Sequence, residues 1–247
     1  MANFGFVRFL VVFGLCALYS FPVFGAESKN KKAVSLFENL GDHHYPITTS
    51  APLAQAYFDQ GLILAYGFNH SEAAQSFREA QRLDPACAMC YWGEALVLGP
   101  NINAPMDPAV MSRAFTAVQQ AVSLSKGVGE KEQALIRALA RRYAEHPPND
   151  RKHLDEAYAQ GMREARHAYP EDSVIGALLA EALMDLHPWD FWDRQGEAKP
   201  WTSEIVSLLE TVIENDPKNP LGHHLYIHAV EASPHPEKAI PSAEQLP

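Results

Sequence analysis

Residues 57–85 read YFDQGLILAYGFNHSEAAQSFREAQRLDP, and small and large residues recur along them at set distances. Counting from Gly61, the residues Ala73, Phe77, Ala80 and Pro85 follow at 12, 16, 19 and 24 positions. This spacing predicts a helical hairpin of about 34 residues, in which a small residue of one helix faces a small residue of the other. Gly61 and Ala73 are those residues, and Pro85 stops the second helix.

The same template recurs downstream, with insertions, and the pattern is that of a tetratricopeptide repeat. A second unit starts near Ala88 with Tyr91-Trp92-Gly93 and closes with Ala114, Val118 and Ala121. Its turn carries the insertion Gly99 to Pro105, where two prolines and a glycine rule out continuous helix. A third runs from Glu132 to Tyr143, breaks at His146-Pro147-Pro148-Asn149-Asp150, and resumes from Leu154 to Pro170 with Met162 and Ala165 in the packing positions. A fourth pairs Val174 to Leu186 with Ile205 to Val212, across a loop rich in Trp, Pro and Gly. A fifth starts at Leu221; its second helix is expected near Glu237, with Ala239 and Ala243 as small residues. The expectation is an all-α helical-hairpin solenoid of four to five repeats over residues 54–247. Such arrays normally finish in a helix that is polar outside. The last hairpin shows no such cap, which fits a piece of a longer protein or an end covered by an oligomer contact.

At the other end, Arg8 precedes the apolar run Phe9 to Phe21, followed by Pro22, small residues at Gly25 and Ala26, and an abrupt polar change. This is the layout of an export signal, with cleavage expected after Gly25. The run is too short for a spanning helix of about 20 residues. Residues 1–25 are therefore expected to be a signal peptide and 26–53 a leader, in a periplasmic or secreted protein with no membrane span after processing. Loss of Arg8 moves the formal charge from −10 to −11. The only basic cluster is Lys29, Lys31 and Lys32, so nucleic acid is excluded as a partner.

Three sets of residues can carry chemistry. Cys87 and Cys90, three apart at the start of a helix, suit a disulfide in an oxidising compartment, a two-sulfur share of a metal site, or plain burial. His224, His228 and Glu231, at i, i+4 and i+7, form one helical stripe. Two imidazoles so placed can clamp copper, zinc or iron, and the carboxylate can ligate or orient an imidazole. His43 and His44, in GDHHYPITT over residues 41–49, are candidates to join them. The third set is apolar: Phe58, Leu62, Met89, Trp92 and Leu96 are expected on the concave face, where solenoids hold peptides. The leader or the inserted loops could equally fill that groove. The aromatic run Pro188 to Asp193 reads as a lid, a partner contact or a tucked-in loop.

The strings GDHHYPITT, YFDQGLILAYGFNHSEAAQSFREAQRLDP, CAMCYWGEALVLGPNINAPM and HHLYIHAVEASPHPEKA together resemble a family of exported bacterial tetratricopeptide-repeat proteins, with a more distant similarity to a eukaryotic group. The resemblance implies fold and export, and a full length about twice this one. It brings no activity with it. Two functions follow: a scaffold that binds a protein or peptide on its concave face, and a metal-binding protein or part of a metalloenzyme built on the histidines. No nucleophile, base and oxyanion set, phosphate loop or carboxylate pair is visible, so the reading leans away from an enzyme.

Overall fold

The computed structural model describes Met1 and residues 34–246. The expected signal peptide and the cluster Lys29, Lys31 and Lys32 lie outside the described residues. Those described form helices α1 (Pro52–Tyr66), α2 (His70–Leu83), α3 (Ala88–Val97), α4 (Met111–Leu124), α5 (Glu130–Ala140), α6 (Lys152–Ala168), α7 (Ser173–Asp185), α8 (Thr202–Asn215), α9 (Pro220–Val230) and α10 (Ile240–Gln245). No strand occurs among them, and each helix packs on the next, as in a helical solenoid. Among these helices, none is long and apolar enough to cross a membrane.

Odd and even helices do different work. In α7 ten of thirteen residues are buried, whereas in α8 only Thr202, Ile205, Leu209 and Val212 are. A helix apolar on nearly all sides belongs inside, and one with a single apolar stripe belongs on the surface. The inner helices accordingly touch one another: α1 meets α3, α3 meets α5, α7 meets α9, and α9 returns to α1.

Glycines on inner helices set how close these layers come. A Cβ on Gly61 would stand 2.6 Å from the Phe77 ring, and one on Gly93 would stand 2.3 Å from it. Phe77 of α2 thus fills notches on both α1 and α3. Val212 of α8 repeats the device: Cβ atoms on Gly176 of α7 and Gly222 of α9 would lie 2.6 and 2.8 Å from its methyl groups. Close packing of this kind leaves no slack for an added methyl.

The close-wound array corrects the concave-face expectation. Phe58, Leu62, Met89, Trp92 and Leu96 are all buried. The Trp92 Nε1–H donates to the Leu135 carbonyl of α5 at 3.2 Å, so the face expected to hold a partner is packed against the neighbouring repeats. The leader does not fill it as a helix either: residues 34–51 contain no helix. They run along α1 and reach α5, where the Thr48 amide donates to Glu132 Oε1 at 2.7 Å. In the fifth hairpin Ser242, not Ala243, is buried, because the short α10 turns that residue toward His223. Cys87 and Cys90 are joined by a disulfide and wholly buried at the start of α3. Neither sulfur is available to a metal.

In an ordinary helix interior Gly→Ala stabilises by about 1 kcal/mol. Here Gly93→Ala should have the opposite sign and lose about 1–3 kcal/mol in denaturant unfolding, because the methyl overlaps the Phe77 ring.

Candidate functional site

The return of α9 to α1 creates a seam between the first and last hairpins. Asn219 caps α9 by accepting from the Gly222 amide at 2.8 Å, and Pro220 opens its first turn. The helical repeat then sends the neighbouring histidines in different directions. His223 is buried, with Nδ1 3.0 Å from Ser242 Oγ and Nε2 2.9 Å from the Pro217 carbonyl; it ties α9 to α10.

His224 and His228 face the seam. His224 Nδ1 lies 2.5 Å from the Tyr66 carbonyl at the end of α1, 158 residues earlier in the chain. A carbonyl only accepts, so that Nδ1 carries the proton. His228 Nδ1 lies 2.9 Å from Glu231 Oε1 and donates to it on the same reasoning. The two Nε2 atoms then face each other at 3.1 Å. Burial holds the His224 pKa below its ordinary value; the Tyr66 carbonyl opposes this, and the neighbouring His228 adds to it.

Two aromatic rings wall this pair. Phe68 lies 4.6 Å from the His224 ring centre and stacks on His228 at 6.2 Å with 6° between planes. Trp189 meets His228 edge-on at 5.1 Å. Among the described residues, Phe68 and Trp189 are the two non-glycine positions with positive φ, at 56° and 60°. That conformation costs an L-residue about 1–2 kcal/mol. Phe68 takes it where glycine is usual: its amide donates to the Ala65 carbonyl and the Asn69 amide to the Leu64 carbonyl, the closing pair of bonds at a helix end. Gly67 stands one position too early to relieve the strain.

Beside the pair, a cleft of about 580 Å³ lies between the leader, the end of α1 and the start of α9, with Leu40, Ile63, Leu64, Pro220 and Leu246 on its walls. His43 enters it, its ring edge-on to Tyr66 at 5.5 Å. His43 Nε2 is buried without a hydrogen-bond partner, and burial lowers the pKa of the ring. The His43 ring thus lines the cleft as a neutral group whose Nε2 is covered by protein. His44 turns the other way, to Asp59 at 2.8 Å, and its side chain is 55 % exposed.

The candidates therefore separate. The fold brings His43, His224 and His228 to one seam, leaves His44 on the outside, and places Glu231 behind His228 as its hydrogen-bond partner. No group of three or more His, Cys, Asp or Glu side chains set to hold a metal occurs among the described residues. Sequence reasoning missed Phe68 and placed Trp189 only in a loose aromatic run. It also missed an internal ionic cluster, in which the buried Arg142 guanidinium meets Asp185 at 2.7 Å and Asp155 at 3.2 Å. Glu181, beside it, lines a small cavity of about 20 Å³ with Tyr66 and His70, room for about one water.

Burial pushes the Glu181 pKa from its ordinary 4.5 up to about 8, with Asp185 adding to the rise and Arg142 opposing it. The folded chain therefore keeps a proton that the unfolded chain has already released, and stability falls as pH rises from about 4.5 to 8. Glu181→Gln should flatten this fall, seen as a smaller difference between denaturant midpoints at pH 5 and pH 8 than in the wild type.

Compared with known proteins, the chain matches no family model and shows no significant match to a curated protein.

Proposed function

We propose that this chain is an exported solenoid of the tetratricopeptide type that binds a peptide segment of a partner protein in the seam cleft. The repeat type is supported by Ala73, Phe77 and Ala80, all fully buried at the spacing that type demands. Export is supported by the signal-like run before Gly25, and the Cys87–Cys90 disulfide suits an oxidising compartment. The observation that carries the binding role is the cleft itself: about 580 Å³, apolar on most of its walls, with His43 and His224 among the polar side chains that line it. A concave apolar pocket with a few convergent polar groups is the usual form of a binding site. Its size suits one or two apolar side chains of the peptide, set against Leu40, Ile63 and Leu64. On this reading Lys218 and Asp42, paired at 3.6 Å and both exposed, stand at the rim. A pair so exposed is worth about 0–1 kcal/mol and opens readily.

The test is selection of displayed peptides on the mature chain. Peptides carrying an apolar anchor should be enriched, and their affinity should fall at least tenfold in Ile63→Glu, which puts a charge on the half-buried cleft wall while leaving the melting transition in place. Peptides that bind the variant as tightly as the wild type would place the site elsewhere.

A further inference from the structure

The geometry points to a second ligand at the same seam: we propose that His224 and His228 clamp one first-row transition-metal ion through their two Nε2 atoms. Both Nδ1–H groups are already given to pure acceptors, the Tyr66 carbonyl and the Glu231 carboxylate. Each neutral ring then has a lone pair at Nε2, and the two nitrogens stand 3.1 Å apart with no proton between them. That contact is repulsive unless a cation sits against it.

The separation suits a metal. With metal–nitrogen bonds of about 2.0–2.1 Å, nitrogens 3.1 Å apart subtend about 100° at the ion, between the square and tetrahedral values. The surroundings are those of a ligating histidine pair. A metal-bound imidazole commonly donates its other N–H to a carboxylate or a backbone carbonyl, which fixes the tautomer and aims the ring. Here one ring has each kind of partner. Phe68 and Trp189 stand against the pair and are held there in strained backbone. Strain of this sort persists where the surrounding structure imposes it and gathers at functional sites.

The class of metal follows from the donors. Paired imidazoles suit copper and zinc, whereas calcium and magnesium require oxygen ligands. Copper(II) binds nitrogen sites most tightly of the divalent series. Cys87 and Cys90 are consumed in their disulfide, and no third side-chain ligand joins the pair among the described residues. The remaining positions on the ion would thus belong to water or to an incoming donor. This proposal does not depend on peptide binding in the cleft.

The experiment uses the mature chain, without a histidine tag, stripped with chelator and titrated with copper(II) and with zinc(II) near pH 7.5. Calorimetry should give one equivalent of each metal, and the copper spectrum should show coupling to two imidazole nitrogens. His228→Ala, whose side chain is only 20 % exposed but lies outside the main core, should lose at least a hundredfold in affinity. Glu231→Gln keeps both ligands and should lose about tenfold, the effect of weakening an outer partner. A chelator-reversible rise in melting temperature with zinc should appear in the wild type and vanish in His228→Ala, and circular dichroism at low temperature shows that the variant is folded. Copper bound as tightly by folded His228→Ala as by the wild type would overturn the proposal. So would failure of the wild type to bind either metal at millimolar concentration, which would mean that a shared proton occupies the contact instead.

Discussion

Everything distinctive about this structure depends on Phe77 and Val212 being received by glycines on two helices at once. A side chain of an outer helix reaches past its own inner helix and into the next, so neighbouring hairpins cannot separate without opening a void on both sides. The consequence is tight winding. The inner helices lose their concave surface to one another, and the fifth hairpin comes back to the first. The groove that a looser array would offer is replaced by a seam that no single repeat could form.

The seam shows how far local rules reach. Helix positions, breakers and the small-residue register could be read from spacing alone, because 3.6-residue periodicity and the proline stops act within one hairpin. Gly61, Ala73 and Ala80 sit where the spacing puts them. The helical stripe of His224, His228 and Glu231 was equally legible, since an i, i+4 relation needs only the helix. What the sequence could not reveal was which residues lie across from that stripe. Tyr66 is 158 residues away from His224, and its carbonyl carries no side-chain signature. Superhelical pitch decides whether such distant groups meet, and pitch depends on the summed effect of many small packing choices. The same cause misplaced Phe58 and Trp92, whose positions on the inner helices were read correctly but whose exposure was not.

Phe68 and Trp189 make a complementary point. Local chemistry would put glycine at the left-handed residue that ends α1, yet the chain has a phenylalanine there and its glycine one position earlier. A local rule is broken where distant elements need a ring. Both exceptions flank the same histidine pair, and the strain they carry is offset by packing made only in the folded molecule. The buried Arg142, Asp155 and Asp185 cluster lies behind this site, and Tyr66 links the two: its carbonyl meets His224 while its side chain lines the Glu181 cavity. An ionic group so deep is poor value for stability compared with apolar packing, but it demands a particular arrangement of α5, α6 and α7.

The central claim is that the last hairpin closes on the first through the His224 ring and the Tyr66 carbonyl. Long-range proton–nitrogen NMR of the imidazoles in the metal-free mature protein addresses it most directly. The account predicts the Nδ1-protonated form at both His224 and His228, with ring-to-ring contacts from His224 to Phe68. An Nε2-protonated His224 without contacts to Phe68 would contradict it, and would mean that the two hairpins do not meet.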